Sequence, residues 1–186
     1  KDNGNSDYGT AIVGTVSGTS ISFGTAVVFE SAGVRHCSIA YDANTQKVVI
    51  AYRDDGNSSR GTAIVGTVSG TSISFGTPVV FDSVGYSDHY AITYDSNAQK
   101  VVVAYRDAGG TNRGYAYVGT VSGTSISFGT RAAMDGSDNA ERLFLTFDTA
   151  NNKAVFGYTA RDSGEAAAAV VGTVSGTSIS FGTPSF

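Results

Sequence analysis

Three arginines with the chemistry to hold an anion, Arg53, Arg106 and Arg161, recur at corresponding places along the chain, each followed by an aspartate, Asp54, Asp107 or Asp162. Converging guanidinium groups bind carboxylates and anionic sugars through two parallel N–H donors. The same spacing also gives arginine–aspartate pairs that tie neighbouring loops together. Uniform repetition favours that structural role, because a single active site breaks symmetry. His36 and His89 form a second recurring pair, with Arg142 in the third copy. Imidazoles can move protons or bind a metal through bonds of about 2.0–2.1 Å. Equivalent positions in neighbouring copies are expected to lie too far apart to share one ion, and Arg142 cannot ligate, so these residues read as polar surface groups. Tyr86, Tyr90 and Tyr115 fall near loops that vary between copies, where a ring could stack on a sugar. Tyr41, Tyr52, Tyr94 and Tyr105 recur at equivalent places and read as packing residues.

Acid chemistry would need two carboxylates about 5–5.5 Å or 6.5–9.5 Å apart, as in glycoside hydrolysis. The third copy is the most divergent and carries Asp135, Asp138, Glu141 and Glu165 in its loops. No residue is assigned a catalytic role, and a glycosidase is kept as the alternative to a binding module. No cofactor is implied. The stretches Asp54–Asn57 and 135–138 offer oxygens that calcium could use, but neither matches the D-x-[DN]-x-[DN]-G loop, and Asp-Gly is first a turn signal. There is no H-E-x-x-H helix, no zinc cysteine spacing and no G-x-S-x-G elbow, so no metal site is expected. The single cysteine, Cys37, forms no internal disulfide and reads as a buried thiol.

These residues sit on a repeat. The string VGTVSGTSISFGT occurs four times unchanged, beginning at Val13, Val65, Val118 and Val171, with spacings of 52, 53 and 53 residues. A second block recurs in step with it: SIAYDANTQKVVIAYRD from Ser38, AITYDSNAQKVVVAYRD from Ala91 and LFLTFDTANNKAVFGYTARD from Leu143. The chain therefore divides into a half unit at 1–30 and whole units at 31–82, 83–135 and 136–186. In the second whole unit the pattern predicts four strands: a near Tyr90 to Tyr94, b near Lys100 to Arg106, c near Gly114 to Val121, and d from Ser125 past Phe128. Strand b is apolar nearly throughout, as in a strand buried on both faces. Strand d alternates and, in other copies, runs into Pro78 or Pro184, which suits an edge strand. Short polar connections make the four strands an antiparallel meander. Ala166–Ala169 falls at strand c of its unit and is read as strand, since four residues cannot nucleate a helix alone.

Composition agrees. Apolar residues are 41% and charged residues 15%, enough apolar content for a core and too little charge for a disordered tail. A net charge of −4 argues against gripping nucleic acid through phosphate neutralisation. No run of about 18 apolar residues is present, so no membrane-spanning helix is expected.

Tandem four-stranded units of this length are the signature of an all-β propeller, whose blades bury their faces against each other. A β-solenoid-like array is the alternative, though solenoid repeats are usually shorter. The repeat pattern resembles sialidase-like β-propeller repeat proteins of bacterial and phage surfaces. The resemblance covers essentially the whole chain and implies a propeller displayed outside the cell, on the cell surface or on a virion. The chain has no tryptophan and no S-x-D-x-G-x-T-W box, so the resemblance carries architecture and not sialidase activity. The expected function is a non-enzymatic scaffold or recognition module for a glycan or a protein surface. Its ligand would sit on the rim formed by the d–a and b–c loops, which differ between copies, while the c–d hairpins on the other rim are identical. Three and a half blades fall short of a closed ring, so the half blade is expected to be completed by a second copy or by further repeats of a longer parent chain.

Overall fold

Alternating apolar and polar residues, frequent Thr, Val and Tyr, and a turn signal every few residues leave the chain little choice but strands. The computed structural model describes residues 2–83, 85–134 and 139–186. Those residues are all-β, with no α-helix and only single 3₁₀ turns at Asp55–Asn57 and Arg161–Ser163. The half unit contributes β1 (Tyr8–Ala11), β2 (Gly14–Ser17), β3 (Ser20–Phe23) and the first part of β4 (Val27–Asp42). The first whole unit takes the rest of β4 as strand a, then β5 (Lys47–Asp54), β6 (Arg60–Ser69), β7 (Ser72–Phe75) and β8 (Val79–Asp82). The second is β9 (Asp88–Asp95), β10 (Lys100–Arg106), β11 (Gly114–Ser122), β12 (Ser125–Phe128) and β13 (Ala132–Ala133). The third is β14 (Ala140–Asp148), β15 (Lys153–Ala160), β16 (Ala166–Ser175) and β17 (Ser178–Phe181).

Each whole unit is an antiparallel a–b–c–d meander with d at one edge, as in the order β12-β11-β10-β9. Strand d comes in two pieces, because β7 and β8 both pair with β6 on either side of Gly76-Thr77-Pro78. Ala166–Ala169 is strand, as expected. One expected loop is not a loop. The d–a connection of the first unit lies inside the 16-residue β4, which continues from strand d of the half unit into strand a of the next. That connection is one residue shorter than its counterparts and stays hydrogen-bonded to the N-terminal segment, with Tyr8 opposite Gly33 and the Val34 amide donating to the Asp7 carbonyl at 3.0 Å.

The turns explain their sequences. In the a–b turns Asp42, Asp95 and Asp148 each accept backbone amides two and three residues on, for example Asn97 at 3.0 Å and Ala98 at 2.8 Å. These are Asx turns. In the c–d hairpins the flanking serines pair, as Ser122 with Ser125, around a Gly-Thr loop whose glycine has φ near +60°. Only the first loop position is left-handed, which is the demand of a II′-type turn and the reason glycine stands there.

The sheets pack face to face. Along β5, Val49 and Ala51 turn toward Val101, Val103 and Tyr105 of the second unit, while Ile50 and Tyr52 turn toward Phe29 of the half unit. Along β10, Val102 and Ala104 meet Phe156 and Tyr158 of the third. Strand b is thus buried on both faces, as its composition implied. β15 has a neighbour on one side only and alternates buried and half-exposed residues along its length. Strand a of each unit lies against strand a of the next, β4 on β9 and β9 on β14. Among the described residues no sheet closes on itself. No helix of the described residues is long and apolar enough to cross a membrane.

Candidate functional site

The rim that carries the sequence-predicted residues is built by the ends of strands b and the beginnings of strands a. His36, His89 and Arg142 have φ of +52°, +52° and +51°. Each sits at a register break in the a–b ladder, between Arg35 and Ser38, at the start of β9, and between Glu141 and Phe144. The repeated feature is therefore a β-bulge that opens strand a and re-aims one side chain per unit. A left-handed conformation at a non-glycine residue is uncommon, and here it recurs in every whole unit. Nothing in the residue types signals the bulge; comparing which positions change together could have.

The bulges bring His36 and His89 together, with ring centroids 5.6 Å apart. The two rings are thus nearer than the expectation that they stand too far apart to share one ion assumed; strands a lie side by side, and the bulges point both rings toward the same place. Partial desolvation and the charges of Arg53, His89 and Arg35 outweigh the attraction of Asp88 and lower the His36 pKa. The Nε2 of His89 stands 4.0 Å from Asp88. Among the described residues no group of three or more His, Cys, Asp or Glu side chains could hold a metal. Asp135 and Asp138 lie outside the described residues.

The arginines do not share one position. Arg53 and Arg106 are equivalent, opposite Arg35 and Asp88 in their ladders, but Thr159 holds that place in the third unit, opposite Glu141. Arg161 lies two residues further on, in a 3₁₀ turn. The third unit has no insertion, since β5 and β15 are both eight residues long; Thr159 and Ala160 replace Arg53 and Asp54, and an Arg-Asp pair stands two places later. Nor do Arg53 and Arg106 pair chiefly with the aspartates that follow them. Arg106 binds Asp88 in a fork, Nε to Oδ1 at 2.8 Å and Nη2 to Oδ2 at 2.7 Å, and donates Nη1 to Glu141 of the next unit at 2.7 Å. Glu141 also accepts from Arg161 at 2.9 Å. Desolvation pushes the Glu141 carboxyl upward, but the hydrogen bonds and charges of Arg161 and Arg106 together hold it below its ordinary value. Arg53 bonds Asp55 at 2.7 Å, and Asp55 also accepts from Arg35 at 2.8 Å.

Beyond Asp55, Arg53 reaches the second unit, its guanidinium 4.5 Å from the centre of the Tyr86 ring. Tyr86 is 46% exposed. The other two stacking candidates are buried and cannot present a face to a sugar. Tyr90 is hydrogen-bonded to Ser87 and packed on Phe81. Tyr115 bonds Thr111 and carries Arg131 over its ring at 3.8 Å. Both point inward because their strands pack against the first unit. Tyr52 and Tyr105 are buried as expected, while Tyr41 is exposed. Cys37 is exposed rather than buried: Tyr90 and Leu143 hold its place after the same bulge and are buried against the preceding unit, whereas the half unit before Cys37 brings no strand a or b to cover it; partial desolvation raises its thiol pKa. A surface depression of about 350 Å³ is lined by Val34, Arg35, His36 and Cys37. Sequence reasoning missed Arg35, Asp88 and Arg131 and offered Asp55 only as a calcium oxygen, whereas it accepts from Arg53 and Arg35; these residues complete the rim and differ from unit to unit.

Neither a scan against protein-family models nor a search of curated proteins gives a match for the chain.

Proposed function

We propose that the chain is a β-propeller module of three and a half blades that acts without catalysis as a recognition domain, or a scaffold for one, outside the cell, on a cell surface or on a virion. Crowding of strands a against one another supports the propeller reading, because inner strands converge on a propeller axis while outer strands spread. The observation that carries the recognition reading is the patch on the variable rim where Tyr86 lies exposed over Arg53 beside the facing His36 and His89. An exposed aromatic ring backed by a fixed cation and flanked by imidazoles is suited to stack on a sugar and hydrogen-bond its hydroxyls. The ligand class is a glycan, with a protein surface as the second. Arg106 and Arg161 serve the scaffold, since their donors are directed to Asp88, Glu141 and Glu165. Glu141 does not suit the general-acid role of a glycosidase, which needs a raised pKa, because Arg161 and Arg106 hold it down and occupy its Oε1.

A glycan array probed at high protein density tests this reading. Binding that falls about tenfold in Tyr86→Ala, the loss of roughly 1.4 kcal/mol, and survives in Tyr115→Phe supports it. An array with no binder removes the lectin reading and leaves a scaffold or protein-binding role.

A further inference from the structure

Identical sequence meets different surroundings at the two ends of the stack. Ile73, Ile126 and Ile179 are 9%, 3% and 7% exposed, the last two packed against the preceding unit, while the matching Ile21 of the half unit is 54% exposed, beside Val16 and Phe23. At the other end Val171 is 45% exposed, although its counterparts Val65 and Val118 are fully buried against the unit that follows. One end thus shows the face that receives a following unit and the other the face that packs on a preceding one.

The joints inside the chain use a close backbone contact. A Cβ built on Gly24, Gly76 or Gly129, the glycine that follows strand d, would stand 2.1, 1.9 or 1.8 Å from the carbonyl oxygen of Thr71, Thr124 or Thr177 in the next unit's c–d hairpin. The fourth such glycine, Gly182, meets nothing nearer than the Val171 carbonyl at 3.8 Å. Its counterpart, the Gly18-Thr19 hairpin of the half unit, stands on the open face at the opposite end. A knob and a groove lie on the same two faces. Phe144, 70% exposed, stands where the other units have the small Ser38 and Ala91. A groove of about 260 Å³ lies on the half-unit face, lined by Ala11, Ile12, Phe29, Ile39 and Ile50 among others. The groove exists because the half unit brings strands c and d but no a and b to cover Ile39, and a large side chain is what such a gap requires.

We infer that a second copy of this chain docks head to tail on these faces, with the Thr19 hairpin of one copy on Gly182 of the other and Phe144 in the groove. The contact is heterologous, so it either closes into a ring or runs on. Two copies bring six whole units and two half units, eight positions around a ring and within the range of about 4 to 8 at which propellers close, and the closed pair is the expected form. This assembly does not depend on the glycan-binding role of the rim, and its failure would leave that role to the array.

Light scattering of the 186-residue chain over a concentration series reads it out. The expected mass is about 38 kDa, twice 19.0 kDa. Gly182→Ala adds one methyl group where the chain itself has room, so its circular dichroism and melting profile as a monomer stay native-like. The same methyl group would collide with the docked hairpin, so the dimer dissociates by at least tenfold in concentration. Phe144→Ser, which restores the small residue of the first unit, weakens it as well. A wild-type monomer at every concentration, or a dimer indifferent to both substitutions, overturns the inference.

Discussion

Arg106 on strand b of the second unit donates to Glu141 on strand a of the third, 2.7 Å away, while its other two donating nitrogens grip Asp88 of its own unit. One guanidinium therefore ties two sheets together at the rim. Its side chain is 14% exposed, against 7% for Asp88 and 19% for Glu141, so the ions are largely out of water. Removing Arg106 leaves the buried Asp88 without its fork and leaves Glu141 with Arg161 alone. Arg106→Ala is expected to destabilise the fold by about 3 kcal/mol. Arg161→Ala removes a side chain that is 47% exposed and is expected to lose less than about 1 kcal/mol. Urea unfolding of the two variants checks the difference, and equal losses would mean that the fork on Asp88 is not what holds the rim.

The packing glycines predict the reverse of their usual behaviour in strands. Gly76→Ala and Gly129→Ala would drive a methyl group into the Thr124 and Thr177 carbonyls. Backbone cannot swing aside as a side chain can, so each is expected to destabilise by about 1–3 kcal/mol. Gly157 has open space around its missing Cβ, and Ala51 and Ala104 stand at its place in the other units. Gly157→Ala is therefore expected to be neutral, or to stabilise by up to about 1 kcal/mol by restricting the unfolded chain. Thermal melts of the three variants separate close approach from flexibility as the reason for glycine.

Much of this was legible in the residues. The strands of the second unit could be placed to within a residue or two from alternation and turn signals, and the double burial of strand b followed from its unbroken apolar run. The site was less legible, for a physical reason. Side-chain direction at the rim is set by the bulges at His36, His89 and Arg142, and a bulge shifts register without changing composition. The string TARD looks like YRD with an insertion, so Arg161 passed for the equivalent of Arg53 until the ladders placed Thr159 there. Tyr90 and Tyr115 were near variable loops in sequence but faced the inter-unit core, a matter of strand parity relative to a neighbouring sheet. Arg35 and Asp55, the groups that fix Arg53, sit in segments that differ between units and so gave no repeat signal.

Cys37 supplies a test of the open half-unit face. Tyr90 and Leu143 at its place are buried by a preceding whole unit. With only a half unit before it, Cys37 is exposed, and its thiol pKa is raised. At concentrations where the chain is monomeric, a disulfide reagent should therefore titrate one thiol per native chain at pH 8 without denaturant, more slowly than it titrates free cysteine, because less of the thiol is ionised. A thiol that reacts in the monomer only after unfolding would contradict the open half-unit face.

The rim also sets the dependence of stability on pH, and the signs differ among its groups. Glu141 and Asp55 are both pushed upward by desolvation, yet the hydrogen bonds and charges of Arg161 and Arg106, and of Arg53 and Arg35, leave them below their ordinary 4.5 and 3.8. Their contribution is present in full above those values and is lost as pH falls through the lower folded ones. His36, held below 6.5 mainly by desolvation, acts in the same direction in its own window, stabilising above 6.5 and losing that contribution as pH falls through its folded value. Asp54 behaves in the opposite way. Burial first, and then the charge of Glu30, raise it above 3.8, so its contribution is present below 3.8 and lost as pH rises through the folded value. The unfolding free energy is thus expected to fall from pH 7 toward pH 5 by a small amount and more steeply below pH 4. Glu141→Gln should lower stability at pH 7 and converge with the wild type near pH 2. Asp54→Asn should instead gain most at pH 7 and least at pH 3. Denaturant melts at these pH values distinguish the two carboxylates, and parallel curves for both variants would show that the rim arginines do not discriminate between them.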